Sequence, residues 1–251
     1  MASEEYYSNY KKDGYVIIRK GLGEKQIDRI HDDLAIIFKD QTCTVSNDSS
    51  VNTVNSMVKL ANEDKNLFYK KCLVLGDLAS MSLLNSNSSL SELLFRLMDE
   101  INLPFSSTHA GLFYNQKDLQ RLQYGWHQEA TYYPHHIHGI HLWFPLFNSV
   151  KVTGGPMLIK KGSHKFDFEY TEIEKENHLS QKLIDSNLLT PFETISCELN
   201  LGDIVVFDHK TAHCTDNNLS GRTPRISGLK RFLASENSYV PCSYLKGSAL
   251  L

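Results

Sequence analysis

Residues 126–134 read WHQEATYYP and set an imidazole, His127, two positions from a carboxylate, Glu129. In an extended backbone, side chains i and i+2 project to one face while the residue between them faces away. His127 and Glu129 would then stand side by side, and they could supply two ligands of a 2-His-1-carboxylate triad with three positions open on a ferrous ion. Alone, an HxE pair is a weak signal. Far downstream, LGDIVVFDHKTAHC offers a turn at Gly202-Asp203, an apolar strand, and then His213. Arg225-Ile226-Ser227 follows at the start of another strand, with Arg225 and Ser227 on one face. A guanidinium and a hydroxyl so placed could hold a carboxylate through a paired contact and one further hydrogen bond.

The chain has 11 histidines, and HHIHGIH puts four of them at 135, 136, 138 and 141. His136 and His138 form the HxH of a cupin-type metal site, but the glutamate such a site needs three or four residues later is absent: His141 and Leu142 stand there. These histidines are expected near the mouth of the site, with His135 and His138 as candidate substrate contacts. Tyr132 and Tyr133 carry the same expectation, after rim packing.

The elements that must position these residues fall into two textures. Toward the N-terminus, DGYVII reads as a short strand. Ile27, Ile30, Leu34 and Ile37/Phe38 recur at helical spacing between Glu24 and Lys39. The Ser/Asn/Thr-rich stretch 41–56 reads as a loop. A second helix is expected around 85–101, with Ser89 and Glu92 at capping-box spacing. From about residue 105 short strand-like runs follow: GLFY, IHLWFPLF, GPMLI, ETISCEL, DIVVF and RISGLKRFL, with one helical interruption near 172–187. Many short strands at even spacing indicate a sandwich or barrel rather than alternating βα units.

Composition narrows the function classes. At 251 residues, with 41% hydrophobic and 22% charged residues, the chain fits a single domain with a sizeable core. A net charge of −3 supplies no field for nucleic acid or anionic lipid. Five scattered cysteines without a CxxC pair argue against a disulfide framework and a thiolate zinc site. No apolar run approaches membrane-spanning length. A cytoplasmic protein acting on a small molecule, with no nucleic-acid or membrane partner, is expected.

In order and spacing, KDGYVIIRKGL, WHQEATYYP, HLWFPL, GGPMLIKKGSHK, LGDIVVFDHKTAHCTDNN and RISGLKRF together resemble the iron(II)/2-oxoglutarate dioxygenases, and within them the phytanoyl-CoA dioxygenase-like branch. The pieces are spread over most of the chain. The resemblance implies a mainly β double-stranded β-helix (jelly roll), its core at about 105–235, flanked by N-terminal α-helices within about 1–104. It implies Fe(II) on His127, Glu129 and His213, 2-oxoglutarate as cosubstrate, and dioxygen. Arg225 matches the arginine that binds the distal carboxylate of 2-oxoglutarate, with Ser227 assisting and Arg222 as the rival. Asn115 and Gln116 match a polar position near the cosubstrate. Most relatives carry aspartate where Glu129 stands, and halogenating relatives carry alanine or glycine, so the resemblance points away from halogenation. The expected reaction is hydroxylation of an aliphatic carbon of a small metabolite or natural-product intermediate. Two rivals stay open: a jelly-roll binding or scaffold protein without metal chemistry, and a cupin-like metal-dependent isomerase or hydrolase centred on the HHIH histidines.

Overall fold

A computed structural model describes residues 2–40, 46–74, 78–82, 88–103, 105–107, 111–116, 123–175, 179–216 and 223–234. In chain order the elements are α1 (Ala2–Asp13), β1 (Tyr15–Ile18), α2 (Glu24–Ile37), α3 (Ser49–Glu63), α4 (Lys65–Leu73), α5 (Ala79–Ser82), α6 (Ser88–Ile101), β2 (Phe105–Ser107), β3 (Gly111–Asn115) and β4 (His138–Pro145). After these come α7 (Val150–Thr153), β5 (Met157–Lys160), β6 (Thr171–Lys175), β7 (Leu179–Leu183), β8 (Thr194–Cys197), β9 (Ile204–Asp208), β10 (His213–Thr215) and β11 (Arg225–Ala234).

Apart from the β6–β7 hairpin, the strands form two packed antiparallel sheets of a jelly roll. The major sheet runs β1-β9-β4-β11-β2, with β3 also paired to β11; the minor sheet runs β10-β5-β8. The central strands β4, β9 and β11 are buried along nearly their whole length because both faces of the major sheet are covered. One face, through Ile140, Leu142, Phe144, Ile204 and Val206, packs on Ile30, Leu34, Met57, Leu90 and Leu93 of the helices. The other, through Trp143, Val205, Phe207 and Leu229, packs on Met157, Ile159 and Cys197 of the minor sheet. Gly228 on the helix-facing side lets the Phe144 ring lie flat on the strand: a Cβ there would stand 2.5 Å from the ring. Each predicted strand run from GLFY onward forms a strand, and β1 and α2 lie where the periodicity puts them. β1 pairs with β9, so the N-terminal flank contributes a strand to the major sheet.

Three local expectations are corrected. The stretch 41–56 does not stay a loop: residues 49–63 form α3, whose Asp48 cap accepts from the Ser50 N–H at 2.8 Å. Val54, Met57, Val58 and Ala61 make an apolar stripe that overrides the Ser/Asn/Thr composition. Its hydroxyls turn back on the helix, with Thr53 donating to the Ser49 carbonyl and Ser56 to that of Asn52. Ser89 lies inside α6 rather than capping it, since the helix already includes Ser88. Residues 172–187 form no long helix. β6 and β7 pair as a hairpin, followed by a 3-10 turn at Ser186–Leu189. Glu172 and Glu174, which suggest a helix here, lie on the exposed strand β6 instead, whereas β7 is partly covered and buries Gln181.

Candidate metal centre

The two histidines are brought together by main-chain pairing. His127 and His213 form an isolated antiparallel bridge beside β10, each N–H donating to the other's carbonyl at 3.0 Å. Directly opposed residues of such a pair put their side chains on one face, and the imidazole centroids lie 4.2 Å apart. The extended stretch expected around His127 is this short: Gln128 has extended backbone, and Glu129 already opens a 3-10 turn, Glu129–Thr131. That turn is anchored by the Ala130 N–H on the His209 carbonyl at 3.0 Å. Gln128 faces away as alternation requires, and is buried in a clamp of its own. Its amide donates to the carbonyls of Phe166 and Lys210, and its oxygen accepts from the Phe168 N–H at 3.3 Å.

Glu129 Oε1 lies 3.9 Å from His127 Nε2 and 3.8 Å from His213 Nε2. All three side chains are buried, and one ligand atom from each falls within 4.8 Å of the others. His127 Nδ1 lies 2.7 Å from the Gly125 carbonyl and His213 Nδ1 2.9 Å from that of Thr211. A carbonyl can only accept, so each Nδ1 carries the hydrogen and each Nε2 lone pair faces the shared space. Two neutral imidazoles and a carboxylate are a donor set suited to a ferrous ion. Among the described residues no other three His, Cys, Asp or Glu side chains converge in this way.

Electrostatics keep the donors in ligating form. Burial pushes Glu129 toward protonation, but the Arg231 guanidinium and His127 outweigh it and hold the carboxyl well below the usual range. Burial, reinforced by His127 and opposed by Glu129, pulls His213 down to about 3. Behind them His141 Nε2 meets His209 Nδ1 at 2.9 Å, with the rings stacked. Burial takes His209 to about 4 and His141 well below its ordinary value.

A pH dependence follows for the metal-free protein. His213 and His209 have folded values below the unfolded 6.5, so the unfolded chain binds protons that the native state refuses. Their stabilising contribution is complete above 6.5 and is lost as pH falls toward the folded values. By pH 5 each should have cost roughly 2 kcal/mol. Thermal melts at pH 7 and pH 5 should show the loss; equal melting temperatures would mean that the two rings are not held neutral.

A cavity of about 180 Å³ opens over the triad. Tyr132 and Tyr133 line it, together with Phe113, Tyr124 and Trp143. Tyr132 is also tied to the hairpin, its hydroxyl accepting from the Lys182 N–H at 2.9 Å. Arg225 lines the cavity too, buried, its guanidinium donating to the Gly155 carbonyl and lying 5.4 Å from the Trp143 ring. Burial lowers it to about 10, so it is still a cation at neutral pH. Ser227 shares its face and accepts from Trp143 Nε1 at 3.1 Å, which leaves its O–H free to donate. Asn115 sits opposite Arg225 in the β3–β11 register and is fully buried. Gln116 instead accepts from the Tyr114 hydroxyl at 2.7 Å; neither residue lines the cavity. Arg222 lies outside the described residues.

The histidine-rich run divides. His135 and His138 are exposed and do not line the cavity, whereas His141 is fully buried in the pair with His209. Sequence reasoning gave no role to Arg231, whose Nε donates to Glu129 Oε2 at 3.1 Å and whose Nη2 lies 3.4 Å from Oε1. The signal was present: Arg225, Ser227, Leu229 and Arg231 follow one another at strand spacing, all on the inner face of β11.

The sequence model of the phytanoyl-CoA dioxygenase (PhyH) family matches residues 10–227. No curated protein matches the chain by sequence. Solved structures with the same fold include EctD from S. alaskensis with 2-oxoglutarate and 5-hydroxyectoine, at TM-score 0.62 and 13% identity, covering 92% of this chain and 75% of that one. The epimerase SnoN from nogalamycin biosynthesis, in complex with Fe3+, alpha ketoglutarate and nogalamycin RO, aligns at TM-score 0.56 and 14% identity, covering 93% and 84%. The carbocyclase SnoK from the same biosynthesis aligns at 0.58 and 15% identity, covering 95% and 86%.

Proposed function

Because the chain belongs to the phytanoyl-CoA dioxygenase family, we propose that it is an Fe(II)- and 2-oxoglutarate-dependent oxygenase with His127, Glu129 and His213 as its iron ligands. The observation that carries this reading is the convergence of two imidazole Nε2 atoms and a carboxylate oxygen at one end of a cavity that has a buried cation, Arg225, in its wall. Iron, with 2-oxoglutarate and dioxygen, supplies the oxidising chemistry; the chain supplies orientation and a shielded pocket. His127 and His213 are held in orientation by the Gly125 and Thr211 carbonyls, so neither ring must turn to bind. Arg225 neutralises the distal carboxylate of 2-oxoglutarate and orients its 2-oxo acid end toward the triad. Phe113, Tyr124 and Tyr132 wall the remaining space for a small-molecule substrate.

Hydroxylation of an aliphatic carbon is the outcome we propose. The similar folds described as an epimerase and a carbocyclase make other oxidative outcomes of the same site the alternative, and product analysis with a turned-over substrate separates them. The substrate-independent test is anaerobic addition of Fe(II) and 2-oxoglutarate. A visible metal-to-ligand charge-transfer band is expected. A folded, iron-loaded protein that develops no band on saturation with 2-oxoglutarate would sink the reading.

A further inference from the structure

We propose that Arg231 is a positioning residue that keeps Glu129 a one-oxygen ligand, and so preserves the third open coordination position. The proposal rests on the metal-centre reading above and deepens it. Glutamate carries one more methylene than aspartate, and that freedom lets a carboxylate swing until both oxygens reach the same ion. Chelation by both would occupy four positions of an octahedral ion and leave two. A 2-oxo acid takes two positions by itself, and nothing would remain for dioxygen.

The geometry opposes that swing. Arg231 Nε holds Glu129 Oε2 at 3.1 Å, whereas Oε1 is the oxygen that faces both His127 Nε2 and His213 Nε2, at 3.9 and 3.8 Å. Nη2 approaches Oε1 only at 3.4 Å, and a carboxylate oxygen has a second lone pair to offer a metal. Both partners are fixed from behind. Arg231 stands in the middle of β11, opposite His141 on β4, with the Tyr133 ring 5.6 Å from its guanidinium. Glu129 opens a 3-10 turn pinned by the Ala130 N–H on the His209 carbonyl. With one oxygen held by a rigid fork and the other facing the histidines, rotation about the last side-chain bond would break the ion pair before it reached the chelating pose.

Counting exchangeable water on Mn(II) tests this without substrate, cosubstrate or turnover. Water-proton relaxation of the Mn(II)-loaded protein should report three exchangeable positions, and Arg231→Leu should lose about a third of the inner-sphere signal as Glu129 chelates. Arg231→Met fills much of the same volume without any donor and should show the same loss. Circular dichroism and a cooperative melt establish which variants are folded, and either one that folds decides the matter. A folded variant with the full wild-type signal overturns the proposal, because Glu129 would then bind through one oxygen unaided. A wild-type protein with no inner-sphere signal at all is a different failure: it removes the metal centre itself, and this role for Arg231 with it.

Discussion

Arg225→Ala is expected to raise the dissociation constant for 2-oxoglutarate by roughly 30-fold to a few thousand-fold, the range that corresponds to 2–5 kcal/mol for a truncated buried charge pair. Arg225 is buried on the inner face of β11, already docked on the Gly155 carbonyl, and still cationic at neutral pH. A dicarboxylate entering the cavity meets this cation with little water to screen it, so the pairing is strong, and its loss leaves the distal carboxylate desolvated without compensation. The measurement is a titration of the Fe(II)-loaded variant with 2-oxoglutarate, following the charge-transfer band. The band should still appear at saturation, because the triad is untouched, but shifted to much higher concentration. An unchanged midpoint would remove Arg225 from cosubstrate binding and leave Arg222 as the candidate.

His213→Ala is expected to weaken Fe(II) binding by at least ~100-fold, beyond the 10–100-fold typical of losing a residue that merely supports a ligand. One of three donors disappears, and the remaining pair, His127 and Glu129, come from a single segment and present a more open, less selective site. A thermal melt reads this directly. Wild-type protein with metal at about 100 times its dissociation constant should gain about 2.7 kcal/mol of stability, and the variant at the same metal concentration should gain almost none. In the metal-free state the variant also lacks a buried neutral ring. Its loss of stability below pH 6.5 should therefore be shallower than that of the wild type by one proton's worth of slope. A variant that still gains the full metal increment would place the ion elsewhere.

The strands were legible wherever an apolar run was bounded by Gly, Pro or Asn, because the sandwiched major sheet needs apolar residues on both faces. Helix α2 was legible from its single stripe. What escaped was structure whose composition points the wrong way. α3 is built from Ser, Asn and Thr that favour turns when taken one by one, and only its buried face at Val54, Met57 and Ala61 turns them into a helix. The β6–β7 hairpin carries the charged residues of a solvated helix, and its pairing partner is another part of itself, which local pattern does not reveal. At the site, the i, i+2 argument correctly separated His127 and Glu129 from Gln128. It could not show that the pairing of His127 with His213, rather than a longer strand, sets the geometry. The spacing within β11 contained Arg231 as plainly as Arg225, but the contact that gives it meaning crosses from residue 231 to residue 129, a separation no local pattern reaches.

Gln128 has a consequence for how such a protein can change. It sits between two of the proposed ligands and holds the main chain at Phe166, Phe168 and Lys210, while the Thr131 carbonyl and the Tyr132 hydroxyl, three and four residues along, hold Lys182 of the hairpin. The hairpin and the 166–168 segment are thus fastened to the same short stretch that carries His127, Glu129 and the cavity-lining Tyr132. A new loop or hairpin grafted here for a different substrate would strain the ligands along with the pocket wall. Accommodating new substrates without disturbing the centre is therefore easiest by exchanging the Phe113 and Met157 side chains, which line the same cavity and can change its shape without a change of backbone.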